Sequence, residues 1–379
     1  MIIYIDKTIA EHGKQVGMTE READLFSSLA CAHREGDCFF CGDIESVDWL
    51  RQNFDRCKNG IYMEVSELGI LINSVERMIL VSYDEQPEIP EFITEPKVTV
   101  ISVDEAIRWR IYRPSVFVGE SLYDYQFYSL IAERYMYKKL GKSNRVRFYF
   151  DEECGGGAAT YQTLEKCVKK PRLTLCVVDS DKKHGRTWRC KDFPAKGDTA
   201  KQLERAQNRL IADGYEKLFE LYCLEDIHEA ENLIPFSVLH ALAINKSEML
   251  AGIRYLEKLR NKGLTGGRYK VCTDALRYYD FKNGNNIAML TEASDEDPKL
   301  KPVLKYWTCM AEIVEDDSAP CIKKEVLADA IEYLESITES GRRKACDVIP
   351  DAHIANDWDT IGKKLFAWGF ALRPVCVTV

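Results

Sequence analysis

Short apolar runs that stop at acidic residues recur in the middle of the chain. The clearest run is 174–178, Thr-Leu-Cys-Val-Val, which ends at Asp179 and Asp181. A continuous apolar run of this length is typical of a strand buried on both faces of a parallel sheet. Taken alone, the run also fits a surface turn with a capping aspartate. Because open α/β sheets carry their chemistry at the carboxyl ends of the strands, we expect a functional edge here.

A second run lies upstream and ends in the same way. Residues 115–118 are apolar, and Gly119 and Glu120 follow them. The spacing predicts a helix over 122–140, with Asp124 in its first turn. A residue in the first turn of that helix returns to the end of the preceding strand. The pattern therefore predicts that Glu120 and Asp124 lie at the edge that also carries the aspartates.

Two further runs complete the pattern. Residues 148–151 read as a strand, and the three glycines at 155–157 permit a tight turn with close approach of the backbone. Residues 221–224 form the last strand, and the cluster that contains Glu229 and Glu231 follows it. Strands that alternate with helices predict an α/β fold, in which a mostly parallel sheet is flanked by helices on both faces.

The polar and apolar spacing divides the chain into four segments. We expect a small N-terminal α+β unit over 1–85, a proline-containing linker and lead-in over 86–111, a catalytic α/β domain over 112–240 and a C-terminal helical domain over 241–379. Thr19, with a glutamate three residues later, predicts a helix start in the first segment. No carboxylate cluster occurs in the first or last segment, so we expect both to serve recruitment.

The C-terminal segment shows helical periodicity throughout. The spacing predicts helices over 247–259, 301–314, 323–339 and 359–372. No segment of low complexity and no internal repeat interrupts this region. The fold class expected for the whole chain is therefore α/β, with helices added at the C-terminal end.

The order and spacing of the central motifs resemble the Toprim domain. Among Toprim proteins the chain looks most like the anti-phage effectors, namely the overcoming-lysogenization-defect (OLD) nucleases and the Toprim effector of the PARIS system. Glu120 and Asp124 match the Glu-x-x-x-Asp motif of that domain, residues 155–157 match its glycine motif, and Asp179 and Asp181 match its Asp-x-Asp motif. The resemblance covers roughly residues 112–240.

The anti-phage branch adds a Glu-x-Glu-Asn element, which Glu229, Glu231 and Asn232 match. Two features depart from the family pattern. The usual Glu-Gly order of the first motif is reversed here, and Lys182 and Lys183 follow the Asp-x-Asp where a third acid is common. The second departure leaves the number of bound cations open.

The resemblance implies a metal-dependent nuclease of Toprim type, an anti-phage abortive-infection toxic effector that cleaves DNA or RNA. Carboxylates that hold Mg²⁺ or Mn²⁺ supply the charge stabilisation that phosphodiester cleavage needs. Without a cation such crowded acids would repel one another. The implied catalytic residues are Glu120, Asp124, Asp179, Asp181 and Lys182. The implied metal ligands are Glu120, Asp124, Asp179, Asp181, Glu229 and Glu231. Spacing does not decide whether Lys182 or Lys183 contacts the scissile phosphate.

Basic residues follow the Asp-x-Asp directly. The segment 182–196 carries six lysines and arginines against one acid, and 254–282 combines basic residues with tyrosines. Basic side chains can bind the phosphates of a nucleic-acid strand, and tyrosine rings can stack on its unpaired bases. In the alternative interpretation, the basic residues form an ordinary solvated surface and the tyrosines pack in the core. The expected nucleic-acid contacts are Lys183, Arg186, Arg189, Lys191, Arg268 and Lys270.

Composition restricts the expected partners and cell compartment of the protein. Hydrophobic residues make up 46% and charged residues 30%, and the net charge is −9, which argues against a general nucleic-acid coat but not against a local basic groove. No run approaches the roughly 20 apolar residues that cross a bilayer, so we expect no membrane partner. The 14 cysteines are scattered through predicted strands and helices, which favours a reducing cytoplasm. Cys38 and Cys41 are either buried thiols or half of a zinc site.

The expected partners follow from the same observations. Nucleic acid, either DNA or a tRNA or other RNA, is the expected substrate. The chain has no phosphate-binding Gly-x-x-x-x-Gly-Lys-Ser/Thr motif, so an ATPase sensor, as the resemblance implies, would be a separate protein. We also expect a homodimer. Two alternatives remain, which are a non-catalytic Toprim-fold docking module and an enzyme related to primases or topoisomerases.

Overall fold

The computed structural model describes residues 1–141, 145–339 and 347–374. The chain forms two compact units. The first unit contains Met1–Cys176, Arg205–Leu221 and Ile361–Val379, and the second contains Val177–Glu204 and Tyr222–Thr360. The chain therefore passes from one unit to the other several times, so neither unit is a single continuous segment.

A parallel four-stranded sheet occupies the N-terminal part of the first unit. Its strands are β1 (Ile2–Ile5), β2 (Phe39–Gly42), β3 (Arg77–Ser82) and β4 (Lys97–Ser102). The helices along this stretch are α1 (Thr8–Gln15), α2 (Glu20–Glu35), α3 (Ile44–Asn53), α4 (Val65–Ile72) and α5 (Val103–Trp109). The strand order is β2-β1-β3-β4, and each neighbouring pair is parallel.

This sheet differs from the α+β unit expected over residues 1–85. Every pair of neighbouring strands is parallel, so the N-terminal region is α/β. Helices connect β1 to β2 and β2 to β3, whereas a segment without a helix connects β3 to β4. The segment 86–111 contains β4 and α5, and β4 completes the sheet by pairing with β3. Thr19 caps α2 through a reciprocal bond with Glu22, as its sequence predicts.

A second parallel sheet follows along the chain. The elements along this stretch, including β6 outside the sheet, are β5 (Ser115–Gly119), α6 (Leu122–Leu140), β6 (Val146–Phe148), β7 (Phe150–Cys154), α7 (Thr160–Lys169), β8 (Thr174–Val178), α8 (Asp198–Ala212) and β9 (Phe219–Cys223). The strand order is β7-β5-β8-β9, and β5 pairs in parallel with both β7 and β8. The bounds of α6 are those that the sequence predicts. The α/β class is therefore confirmed, with two parallel four-stranded sheets.

The run 148–151 is split between two strands rather than forming one. Phe150 begins β7 in the second sheet, whereas Phe148 ends β6, which pairs antiparallel with β10 (Phe370–Leu372). Between them the Tyr149 amide donates to the Gly369 carbonyl at 2.8 Å. The single predicted strand is wrong here because the two halves of the run find different partners.

Helices dominate the chain after β9. They are α9 (Phe236–Ala243), α10 (Leu250–Leu264), α11 (Lys270–Ala275), α12 (Ile287–Glu296), α13 (Lys301–Val314), α14 (Val326–Glu339) and α15 (Ala355–Gly369). The predicted bounds of α13 are confirmed, whereas the helix predicted over 359–372 ends early, because its last three residues form β10. Among the described residues, no helix has both the length and the apolar character needed to cross a membrane.

One apolar core joins the two ends of the chain within the first unit. Its buried residues come from β1, β2 and β3 and from α6, α15 and β10; they include Ile2, Phe39, Leu80, Tyr135, Phe366 and Phe370. The Phe39 and Phe370 rings pack edge to face, with their centroids 5.4 Å apart. Cys41 belongs to this core and Cys38 is a second buried thiol; among the described residues, neither joins a group of three possible metal ligands.

Candidate metal centre

The turn after β8 brings Asp181 back toward the chain that follows β9. Asp181 has a positive φ of 53°, a backbone conformation that aspartate tolerates better than most residues. Its amide donates to the His228 carbonyl at 3.0 Å, and the Ser180 hydroxyl donates to the Ile227 carbonyl. The Gly197 amide closes the turn by donating to the Ser180 carbonyl at 2.9 Å. These bonds fix the direction of the Asp181 side chain.

Three possible ligand side chains meet at this turn. One atom each of Asp181, His228 and Glu229 lies within 4.8 Å of the others. His228 is only 2% exposed, and neither of its ring nitrogens has a hydrogen-bond partner among the described residues. Its Nε2 lies 3.7 Å from Glu229 Oε1. Because buried polar atoms almost always have a partner, a buried histidine that lies beside carboxylates and makes no hydrogen bond to a described residue is suited to bind a metal ion.

The electrostatics of the cluster favour a cation. Burial raises the pKa of Asp181, and the nearby Glu229 charge adds to that rise against the opposing influence of His228 and Lys183. Burial also lowers the pKa of His228, which keeps the imidazole neutral and able to act as a ligand. Burial therefore makes negative charge at this site costly and favours an uncharged imidazole. A bound cation would offset the cost of the buried carboxylate charges.

Lys282 approaches the same cluster from the segment that follows α11. Its Nζ lies 2.9 Å from Glu229 Oε2 and 3.3 Å from Glu231 Oε1. Burial acts to lower the pKa of Lys282, but the charges of Glu231 and Glu229 outweigh burial and raise it. Burial raises the pKa of Glu231, with Lys282 opposing the rise. Lys282 therefore supplies part of the positive charge that the acids require.

Asn232 holds the acidic turn in place. Its Oδ1 accepts from the Glu229 amide at 3.1 Å, and its Nδ2 donates to the carbonyls of Leu276 and Tyr279 at 3.0 and 2.9 Å. The side chain is buried, so each of these bonds is shielded from water. The sequence singled out Asn232 as part of a motif, and its contacts give it a positioning role.

Glu120 and Asp124 belong to the first unit, whereas Asp179, Asp181, Glu229 and Glu231 belong to the second. The Asp124 carboxylate accepts from the Ser121 amide at 2.8 Å and from the Ser121 hydroxyl at 2.9 Å, and so caps α6. Because β5 and β8 are adjacent and parallel, their carboxyl ends share one edge of the sheet. The convergence of all these acids on one site stays a prediction.

The glycine run at 155–157 forms the turn that the sequence predicts. The Gly155 amide donates to the Gly119 carbonyl at 2.8 Å, and the Gly156 amide donates to the Glu120 carbonyl at 3.1 Å. Gly156 and Gly157 both have positive φ angles. These bonds tie the Glu120 backbone to the end of β7, which gives the reversed Gly-Glu order a defined local structure.

The two adjacent lysines have different environments. The Lys182 ammonium donates to the Glu225 carbonyl and lies 3.2 Å from Glu225 Oε2, and its side chain is only 11% exposed. Lys183 is exposed and is close enough to lower the pKa of Asp181. Sequence spacing does not decide which of the two lysines contacts the phosphate. The contacts place Lys182 in an ion pair, whereas Lys183 is accessible to solvent.

The basic loop, defined as residues 182–196, is anchored on α13. The Trp307 indole donates to the Lys183 carbonyl at 2.9 Å, and the Cys190 thiol contacts the Pro302 carbonyl at 3.5 Å. The loop residues Arg186, Arg189 and Lys191 are exposed, as are Arg268 and Lys270 near the start of α11. The predicted nucleic-acid contacts are therefore accessible.

Sequence reasoning missed three residues of this centre, namely His228, Gly197 and Lys282. His228 directly precedes Glu229, and the chain has only 6 histidines, so its place in the acidic motif was a usable signal. Gly197 carried no usable signal. Lys282 is the last residue of the basic segment 254–282, but nothing in the sequence connects that segment to the acidic cluster.

Comparison with known proteins does not extend this description. No protein-family profile, no curated protein and no solved structure matches the chain. The function must therefore be argued from the chemistry of the site.

Proposed function

We propose that the chain is a metal-dependent nuclease of Toprim type whose cation is held by Asp181, His228 and Glu229. The observation that carries the proposal is the buried His228 ring, which lies against two carboxylates and whose two nitrogens have no hydrogen bond within the described part of the chain. Burying such a ring costs free energy unless a partner compensates for the lost water. A metal ion is the partner that this set of donor atoms suits best.

The donor atoms fit a divalent cation. Two carboxylates and one neutral imidazole suit Mn²⁺ at least as well as Mg²⁺, because imidazole favours transition metals, whereas Mg²⁺ prefers oxygen ligands. When bound, the cation would stabilise the negative charge that develops on the phosphate oxygens during cleavage. We therefore expect Mn²⁺ to support activity better than Mg²⁺.

The residues of the chain have distinct roles in this proposal. Asp181 and Glu229 contribute negative charge, and Lys282 neutralises the excess of it and holds Glu229 in place. Lys183 is the accessible cation beside Asp181 and is suited to bind the scissile phosphate. Lys182 orders the start of the basic loop through Glu225. Glu120, Asp124 and Asp179 are proposed to complete the acidic site.

The biological role follows from the motif resemblance. We propose an anti-phage toxic effector that cleaves DNA or RNA in the cytoplasm, acts as a homodimer and is controlled by a separate ATPase. Its order of motifs, from Glu120 to Asn232, supports this role. Expression of the released wild-type protein is expected to slow host growth, whereas expression of Asp181→Asn is not.

The test compares metal binding with cleavage. Asp181→Asn and His228→Gln are suitable variants, because asparagine also tolerates a positive φ and glutamine keeps a polar side chain of moderate size. Mn²⁺ should raise the melting temperature of the wild type, since it binds only the native state, and raise that of the variants less. The wild type should cleave plasmid, single-stranded DNA or RNA only with metal, and the variants should not.

Glu292→Gln is the matched control, because Glu292 is an exposed acid on α12 in the same unit. It should respond to Mn²⁺ and cleave like the wild type. Variants of Asp181 and His228 that keep both properties would contradict the proposal.

One observation favours a second candidate function, a docking module without catalysis. Lys282 already lies between Glu229 and Glu231, so the chain neutralises part of its own acidic site. In that case neither Mn²⁺ nor Mg²⁺ should change the melting temperature of the wild type, and cleavage should be absent under all conditions.

A further inference from the structure

Two large aromatic side chains of the basic loop are exposed to solvent. Trp188 is 46% exposed and Phe193 is 80% exposed. The Arg186 guanidinium lies 3.1 Å from the centre of the Phe193 ring. Aromatic rings that lie together with cations on a surface offer both stacking and charge to a ligand.

Trp188 also lines a cavity of about 450 Å³ between the basic loop, the end of α10 and α13. We call this cavity the Trp188–Tyr269 cleft. Its principal lining residues are Trp188, Arg189, Lys262, Arg268, Tyr269 and Glu312. All of them belong to the second unit. The volume lies within the range of roughly 300–1,000 Å³ that small-molecule sites occupy, so it is large enough for one nucleotide.

The cleft combines ring surfaces with positive charge. The Arg268 guanidinium lies 4.7 Å from the centre of the Tyr269 ring, and the Lys262 ammonium lies 5.8 Å from it. Arg189 forms an ion pair with Glu312, which fixes one wall. Glu315 also lines the cleft, so its three cations outnumber its two acids. This local excess contrasts with the net charge of −9 for the whole chain.

The basic loop connects the cleft to the candidate metal centre. Trp188 lies seven positions after Asp181, in the loop that is anchored on α13 through Lys183 and Cys190. Seven residues span at most about 25 Å when fully extended. A strand of a few nucleotides is long enough to occupy both places, which is within the size of site that single-strand binding proteins use.

We propose that the Trp188–Tyr269 cleft binds an unpaired nucleotide of the substrate. The base stacks on the exposed Trp188 ring and the partly exposed Tyr269 ring, and its phosphate pairs with Arg268 and Lys262. Stacking needs a base whose face is open, so the cleft selects single-stranded or looped nucleic acid over a continuous duplex. The binding part stands without a metal, whereas the link to cleavage rests on the proposed function.

The test measures binding without metal. Fluorescently labelled 12-nucleotide strands of DNA and RNA, and the matching duplexes, are titrated with the full-length protein in EDTA at low salt. Single strands should bind more tightly than duplexes. Trp188→Ala and Tyr269→Ala should each weaken single-strand binding about tenfold, the usual effect of losing one stacked base. Trp188→Phe should recover most of the affinity, because it restores a ring.

Phe92→Ala is the matched control, because Phe92 is an exposed ring outside the cleft. It should bind like the wild type. Circular dichroism and melting curves show whether each variant is folded. Equal binding of single strand and duplex, or an unchanged Kd in both folded cleft variants, would overturn the proposal.

Separate outcomes distinguish the cleft from the proposed nuclease activity. A wild-type protein that binds single strands through Trp188 but cleaves nothing with Mn²⁺ supports the cleft and contradicts the nuclease. A wild-type protein that cleaves with Mn²⁺, while Trp188→Ala and Tyr269→Ala bind normally, contradicts the cleft alone.

Discussion

Gly197 leaves the space that the Asp181 carboxylate occupies. A Cβ atom at position 197 would overlap Asp181 Oδ2 and Cβ. Gly197→Ala should therefore displace the carboxylate and cost about 1–3 kcal/mol of stability, as overpacking does. If Asp181 binds the cation, the rise in melting temperature with Mn²⁺ should shrink strongly, and so should cleavage. Paired melting curves with and without Mn²⁺ measure this.

Gly69→Ala is the control for that substitution. A Cβ atom at position 69 would meet its nearest neighbour, Phe92 Cδ2, at an ordinary 3.8 Å, and Gly69 lies within α4. Alanine should be tolerated there or be stabilising, since it favours helix. A Gly197→Ala protein with the wild-type Mn²⁺ response would show that Asp181 does not hold the metal.

His33 should make stability depend on pH. Its Nδ1 accepts from the Phe40 amide at 3.2 Å, which requires a neutral ring, and burial lowers the pKa of His33 to about 4. In the unfolded chain the His33 ring titrates near 6.5. The stability that the neutral ring contributes to the fold is therefore present above pH 6.5 and is lost as the pH falls toward 4. At pH 5 the loss is about 2 kcal/mol relative to neutral pH.

Chemical denaturation of the wild type and of His33→Gln at pH 7 and pH 5 isolates this contribution. Glutamine keeps an acceptor for the Phe40 amide and does not titrate. The variant should lose less stability than the wild type between the two pH values. An equal loss in both proteins would mean that His33 is protonated in the folded state without penalty.

At the scale of single elements, the 3₁₀ turn Ala230–Leu233 depends on Asn232. Asn232→Ala would leave the Glu229 amide and the carbonyls of Leu276 and Tyr279 without this partner. Buried groups that lose their partners are costly, so the variant should lose about 3 kcal/mol in the free energy of unfolding. Asn261→Ala, an exposed change on α10, should change stability little. Equal melting of the two variants would show that other contacts hold the turn.

The periodic elements were readable from the sequence, and the choice of strand partners was not. The bounds of α6 follow from its apolar spacing and the Ser121 cap, and those of α13 follow from its apolar spacing; these are local properties. The split of Phe148 and Phe150 between β6 and β7 depends on β10, more than 200 residues away in the sequence. Likewise, the parallel pairing of β1 with β3 depends on the crossover path and not on the composition of either strand.

The residues of the candidate site divide in the same way, into those that the sequence predicts and those that only the folded structure identifies. Asp181 and Glu229 were predicted because each follows a strand that its own composition reveals. His228 was missed because one histidine carries no periodic signal, and its importance comes from two buried ring nitrogens that no described residue hydrogen-bonds. Lys182 and Lys183 are equivalent by spacing, and only the ion pair of Lys182 with Glu225 separates them.

At the scale of the whole molecule, the N-terminal sheet shares its apolar core with later parts of the chain. The sequence predicts that residues 1–85 form a separate unit, so their removal would spare activity. The core of the first unit instead joins β1, β2 and β3 to α6, α15 and β10. Deleting 1–85 should therefore expose the apolar faces of these three elements. We expect the truncated protein to be unfolded or aggregated, as circular dichroism and gel filtration would show.

A point substitution tests the shared core without deleting any chain. Phe370 is fully buried in β10 and packs against Phe39 of β2. Phe370→Ala should cost about 3–5 kcal/mol. Because the same apolar core packs against both the N-terminal strands and β10, amide exchange should accelerate in β1, β2 and β3 as well as in β10. Phe92→Ala, a change at a partly exposed ring, should accelerate exchange much less. Faster exchange confined to β10 would show that the N-terminal sheet is stable by itself and that the deletion is tolerated.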